Sequence, residues 1–125
     1  MAGLTYAQLL GHCLAKPGAW QDSPWEDDVV VKVGSKIFAF VGGPEAGSVG
    51  VKCGATRAEA DEWLARYPGD AEVSAYIGRY GWNRLRLSGA IPRDELLEAV
   101  DASYAAVVAR LPVRERPQAN SASPQ

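Results

Sequence analysis

Val29-Val30-Val31-Lys32-Val33-Gly34-Ser35-Lys36-Ile37-Phe38-Ala39-Phe40 is the stretch on which the fold class turns. Both halves are rich in β-branched and aromatic residues, the types that suit a pleated, half-buried surface. Gly34-Ser35 between them is a two-residue hairpin signal, because glycine readily supplies the positive φ that a tight turn needs. The reading is two antiparallel strands over 29–33 and 36–41. Gly42-Gly43-Pro44-Glu45-Ala46-Gly47 is then a loop, and Val49-Gly50-Val51-Lys52-Cys53 a third strand. Further on, Asn83 to Leu87 alternates polar and apolar side chains and reads as another strand, while 73–77 reads as a strand ending near Ile77.

Helices flank these strands. Thr5-Tyr6-Ala7-Gln8 has the form of a capping box, after which Leu9, Leu10, Cys13 and Leu14 recur at helical spacing. Lys16-Pro17-Gly18 ends that helix, since proline disfavours helical geometry in the residue before it. Thr56-Arg57-Ala58-Glu59 has the form of a second capping box, opening a helix to about Tyr67 with Ala60, Trp63, Leu64 and Tyr67 on one stripe. Pro92 suits the first turn of a third helix, with Asp94 and Glu95 near the positive end of its dipole. Its apolar stripe runs from Leu96 to Leu111, with a break expected near Asp101-Ala102-Ser103. The pattern predicts one α+β domain over 1–112, a mostly antiparallel sheet backed by helices on one face, with a disordered tail over 113–125.

Composition narrows the function classes. A chain of 125 residues, 47% hydrophobic and 22% charged, matches an ordinary globular domain. No apolar run approaches the ~20 residues that span a bilayer, so no membrane partner is expected. The N-terminus lacks a basic region followed by an apolar stretch, and a cytoplasmic location is expected. Cys13 and Cys53 then read as reduced, half-buried thiols. A net charge of −2 argues against a protein built wholly to coat nucleic acid.

The charges are nevertheless segregated. Alternation puts Val29, Val31 and Val33 on one strand face and Val30 and Lys32 on the other; likewise Asn83, Leu85 and Leu87 oppose Arg84 and Arg86. The strand segments present Lys32, Lys52, Arg84 and Arg86, with Lys36 and Arg79 near turns and no acidic residue among them. Acidic residues gather instead on the helices, at Glu59, Asp61, Glu62, Asp94, Glu95, Glu98 and Asp101. A cationic sheet face holds a phosphate backbone by releasing counterions. Strands also use lysine and arginine simply to stay soluble and avoid edge pairing. Trp20, Trp25 and Trp82 add aromatic surface near the cations, suited to stacking on bases or on a planar ligand, and equally to packing at a core edge. Trp63, on a helix stripe, reads as core.

No reaction motif stands out. His12 and Cys13 are neighbours on a helix and point about 100° apart, which does not make a nucleophile pair, so His12 reads as a surface residue. One histidine and two distant cysteines do not make a metal site. Glu26-Asp27-Asp28 reads as a solvated turn, and Gly42-Gly43 lacks the Gly-Lys-Ser/Thr of a phosphate loop.

Six blocks in order resemble the MmcQ/YjbR family over about residues 5–112: Cys13-Leu14-Ala15-Lys16-Pro17-Gly18-Ala19, Pro24-Trp25, Lys32 to Ala39, Val51-Lys52-Cys53, Gly81-Trp82-Asn83 and Leu87-Ser88-Gly89-Ala90-Ile91-Pro92, with Ser103-Tyr104 after them. The resemblance implies a CyaY-like α+β fold, its sheet likened to a double-wing DNA-binding module, and a DNA-binding role. Proteins of the CyaY type proper bind iron through an acidic ridge on the first helix. Residues 6–15 here contain no acidic side chain, so no metal or other cofactor is expected. The leading expectation is a non-enzymatic protein contacting nucleic acid through Lys32, Lys36, Lys52, Arg79, Arg84 and Arg86. Its alternatives are a planar aromatic ligand held by Trp25, Tyr80 and Trp82, oriented by Arg79, and a protein-interaction domain. The oligomeric state stays open.

Overall fold

The computed structural model describes residues 3–25, 28–43 and 45–117. Among them, three α-helices and six strands run in the order α1 (Tyr6–Leu14), β1 (Ala19–Trp25), β2 (Asp28–Val33), β3 (Lys36–Phe40), β4 (Ser48–Lys52), α2 (Arg57–Arg66), β5 (Ala71–Val73), β6 (Trp82–Arg86) and α3 (Arg93–Ala109). Short 3-10 turns lie at Gly78–Tyr80 and Val113–Glu115. The strands form one antiparallel sheet in the order β1-β2-β3-β4-β6-β5. The fold is the α+β domain that the sequence pattern predicts.

The β2–β3 hairpin turns on Gly34 at φ 59°, with Val33 opposite Lys36. Its register shifts between Val31 and Lys32, so that Val31 faces Ala39 and Lys32 faces Ile37. The extra residue, Phe38, is fully buried and meets the Tyr104 ring of α3 edge-on at 5.2 Å. A bulge of this kind re-aims a side chain at local expense to the ladder. Here it adds an aromatic to the core.

α1 and α3 pack on one side of the sheet. Between them and the strands lie Leu9, Cys13, Val31, Val33, Phe38, Val49, Val51, Leu85, Leu96 and Val100, all fully buried or nearly so. The capping box at Thr5 is complete: Gln8 N–H donates to Thr5 Oγ1 and Thr5 N–H to Gln8 Oε1, each at 3.1 Å. The box at Thr56 is only half made. Thr56 Oγ1 accepts from Glu59 N–H at 3.2 Å, but the Glu59 carboxylate turns to the N–H of Ala55 at 2.7 Å.

β3 and β4 share a single registered pair, Phe40 opposite Gly50. Beyond it the strands part, and Ser103 of α3 fills the gap in hydrogen bonding. Its buried hydroxyl donates to Phe38 C=O at 2.7 Å and accepts from Lys52 N–H at 2.9 Å. This explains why α3 runs unbroken through Asp101-Ala102-Ser103, where a break was expected. Ser103 serves the sheet, and Asp101 accepts from Lys16 at 2.7 Å and bonds His12 Nε2 at 2.8 Å, fastening α3 to α1. His12 is therefore half-buried at a helix junction rather than a free surface residue.

Other departures concern edges. β1 has no apolar alternation to signal it, and carries Pro24, which sheets tolerate on edge strands. The strand expected over 73–77 is instead β5 over 71–73, after which the chain turns through Tyr76 at φ 67°. The segment read as tail from 113 begins with a turn whose Glu115 accepts from Ser35 N–H at 3.1 Å and Ser35 Oγ at 2.7 Å. Residues 118–125 of that tail, and Glu26-Asp27 of the acidic run, lie outside the described residues.

Candidate functional site on the open sheet face

Among the described residues no α-helix packs on the second face of the sheet, and the strand registers sort its side chains into rows. Trp20, Lys32 and Ile37 stand abreast on β1 to β3, and separately Lys52 stands opposite Trp82 on β4 and β6. The next row crosses Asp22, Val30, Phe40, Gly50, Arg84 and Glu72. A third holds Ser48 and Arg86. Alternation thus brings Lys32, Lys52, Arg84 and Arg86 to one face, as their positions in the strands require. Lys32 on the second strand of the sheet and Arg84 on the fifth are three strand spacings apart, about 14 Å.

The face is not purely cationic. Lys32 Nζ lies 2.8 Å from Asp22, Arg84 Nε 3.1 Å from Glu72, and Arg86 Nε 3.4 Å from Asp70. These acids sit on or beside β1 and β5, the two edge strands that sequence periodicity does not reveal. Asp22 illustrates the effect: the hydrogen bond from Lys32 holds its carboxyl below the usual carboxylate range. The absence of acidic residues expected for this face came from omitting its edges. A charge count by strand signals would have found them only if 19–25 had been read as a strand.

Lys52 is constrained differently. Its ammonium donates to the carbonyl of Tyr80, and burial, with the nearby Arg110 charge, lowers its pKa. Arg79 stacks on Tyr80 at 4.9 Å from the ring centroid and donates to the Tyr80 hydroxyl at 2.9 Å. Lys36 stands exposed at the hairpin turn, away from the Arg84 end of the sheet. The six predicted cations therefore spread across the face and its rim rather than converging on one point.

Of the three aromatics expected at a ligand cleft, Tyr80 and Trp82 have described side chains. Trp82 meets Phe40 edge-on at 5.6 Å, and Tyr80 is half-exposed beside Arg79. Trp25 ends β1 opposite Asp28, and its side chain lies outside the described ones. Trp20, on the edge strand β1, covers Lys32 with the ammonium 5.1 Å from the ring centroid, and its indole N–H donates to Gly34 C=O at 3.0 Å. Trp63 packs partly buried against the core, with Arg66 stacked 5.0 Å away.

Arg57 is the residue that sequence reasoning missed. From the first turn of α2 it donates to the carbonyls of Gly78 at 2.6 Å and Trp82 at 3.2 Å, and to Asn83 Oδ1. Asn83, itself fully buried, donates onward to Ala60 C=O at 2.9 Å. This network fixes the 78–82 turn and with it Arg79, Tyr80 and Trp82. Gly81 in that turn adopts φ 93°, and a Cβ there would lie 2.1 Å from Gly54 O. Only glycine fits.

Both thiols are free, and neither is an activated nucleophile. Burial pushes the Cys13 thiol up to about 12 and the Cys53 thiol up to about 11. Among the described residues no group of three or more His, Cys, Asp and Glu could hold a metal ion, and no helix is long and apolar enough to cross a membrane.

An open antiparallel sheet with helices on one face and a mixed charged and aromatic surface on the other defines a class of small α+β domains. The family model YjbR matches residues 14–106. The chain is 33% identical over 116 residues to the uncharacterized protein YjbR of Escherichia coli strain K12, covering 90% of this chain and 95% of that protein, and equally to its counterpart in strain O157:H7. The chain belongs to the YjbR family. Among solved structures, Deinococcus radiodurans protein DR2400, with domain DUF419, superposes with a TM-score of 0.77 at 19% identity, covering 89% of this chain and 84% of that one. A protein from Pseudomonas syringae superposes at 0.66 and 14% identity, covering 82% and 98% respectively. These two likenesses concern the fold alone.

Proposed function

We propose that this protein is a non-enzymatic binding protein that contacts nucleic acid through the open face of its sheet. The observation that carries the reading is the pairing of aromatic and basic side chains at two places on the open face, Trp20 opposite Lys32 and Trp82 opposite Lys52. Aromatic platforms beside cations stack bases and hold the intervening phosphates, with little sequence preference. Arg79 and Tyr80 extend that surface past Trp82, and Arg84 and Arg86 flank it. The fixed acidic partners make the interaction weak and selective for flexible single strands. A duplex presents one phosphate charge per ~1.7 Å of axis and would set many of them against Asp22, Glu72 and Asp70. The activity is placed in the cell interior, with nucleic acid as the partner and no cofactor.

The test is fluorescence anisotropy with labelled single- and double-stranded DNA at low and near-physiological salt. The expected result is salt-sensitive binding with the single strand preferred. Lys32→Ala should weaken it, and Arg84→Ala with Arg86→Ala should weaken it uniformly across sequences while lowering the salt slope by about two. No binding at low salt, or unchanged affinity in all of these variants, overturns the reading.

A further inference from the structure

The middle of the open face is not flat. Gly50 has no side chain, and the position is crowded enough that a Cβ would lie 3.3 Å from Phe40 Cβ. Beside it opens a groove of about 380 Å3, lined by Phe40, Gly50, Ile77 and Arg84 among others, with the buried Val30 beneath. That volume is at the lower end of the ~300–1,000 Å3 typical of small-molecule pockets. Arg84 is 53% exposed, and its Nε faces Glu72. Among the described residues its two terminal nitrogens have no hydrogen-bond acceptor. A guanidinium presents donors in a planar fork that matches a carboxylate.

We propose that this groove binds a small monocarboxylate with a compact apolar body. The hydrocarbon part lies on Phe40, against Ile77, and the carboxylate meets the free edge of Arg84. Burial of the apolar part against a preformed floor supplies affinity, and the guanidinium fixes direction. Asp28 in the lining and Glu72 beside Arg84 disfavour a second negative charge, so the site takes a monoanion over a dianion. The inference does not rest on nucleic-acid binding. Its lining follows the Val30–Phe40–Gly50–Arg84 row, apart from the Trp20–Lys32 and Lys52–Trp82 pairs.

The probe is hydrocinnamate, titrated calorimetrically and by amide shifts of the labelled full chain, beside 3-phenylpropanol and phenyl phosphate. Hydrocinnamate should shift the Gly50 and Ser48 amides, and bind about tenfold more tightly than the alcohol or the phosphate. Arg84→Gln should weaken it about tenfold, whereas Glu72→Gln, which frees the guanidinium, should strengthen it several-fold. That opposite sign is not produced by a loss of folding. Equal binding of acid and alcohol, unchanged affinity in Arg84→Gln, or shifts away from Gly50 overturns the proposal. A short oligothymidylate that binds where hydrocinnamate does not ends this inference and leaves the nucleic-acid reading standing. Hydrocinnamate binding without oligothymidylate does the reverse.

Discussion

The two faces of this sheet obey different rules. The helix-covered face is a continuous apolar core in which Phe38, Val31, Val49 and Leu85 are fully buried. The open face holds ion pairs at half-exposed positions, with 53% and 65% of the Arg84 and Glu72 side chains accessible. Area removed from water sets the energy of the first, at ~25 cal/mol per Å2. Screened, mobile charges contribute little on the second. Most of the apolar burial therefore lies on the covered side, while the open side buries Val30 and keeps charges such as Arg84 within reach of solvent.

Substitutions can break or sharpen that contrast. Phe38→Ala should cost about 3–5 kcal/mol in chemical denaturation, since it leaves a cavity beneath Tyr104. Arg84→Ala should change stability by less than about 0.5 kcal/mol, as expected of a surface position. Comparable losses in the two variants would abolish the distinction.

A second test lies within the covered face. Ser103→Ala removes one hydroxyl yet strands two backbone groups, the buried Phe38 C=O and the part-buried Lys52 N–H. The expected loss is about 1–3 kcal/mol, read from the same transitions. Ser103→Cys, which keeps a weak donor, should recover part of it.

The smallest effect concerns acid. Burial draws the Asp101 carboxyl upward, but hydrogen bonds from Lys16 and His12 outweigh it and hold the group below its ordinary range. Its contribution is thus present above the unfolded carboxylate value of ~3.9 and is lost as pH falls through the lower folded value. Asp101→Asn should flatten the acid limb of the stability profile. Asp22→Asn on the open face, where the hydrogen bond from Lys32 lowers the carboxyl at the sheet edge, should flatten it less. Equal changes would mean that the α1–α3 junction and the open edge are electrostatically alike.

The covered face was legible because burial imposes periodicity. The valines of β2 and the Asn83–Leu87 alternation each specify which side chains point inward, and the Gly34-Ser35 turn specifies the pairing. β1 and β5 were hidden for the same reason in reverse. Edge strands with one ladder partner bury little, so Asp22 and Glu72 carry no periodic mark, and the charge of the open face was misjudged with them. Ser103 and Arg57 were illegible for another reason. Each acts on backbone groups distant in sequence, and a lone serine or arginine in a helix has no local pattern that says so. The groove has no local mark because its lining comes from β2, β3, β4, β6 and the 74–77 turn, segments distant in sequence.

The single pair joining β3 to β4 has a mechanical meaning. The sheet is two plates, one of the first three strands and one of the last three, buttoned along their seam by a serine from α3. Pulling or slow breathing should open it there first, so amide exchange should be faster along β4 than in the β2–β3 ladder. The groove straddles that seam. A molecule seated across Phe40 and Arg84 would span both plates as a splint, and the protein would report its cargo by becoming stiffer.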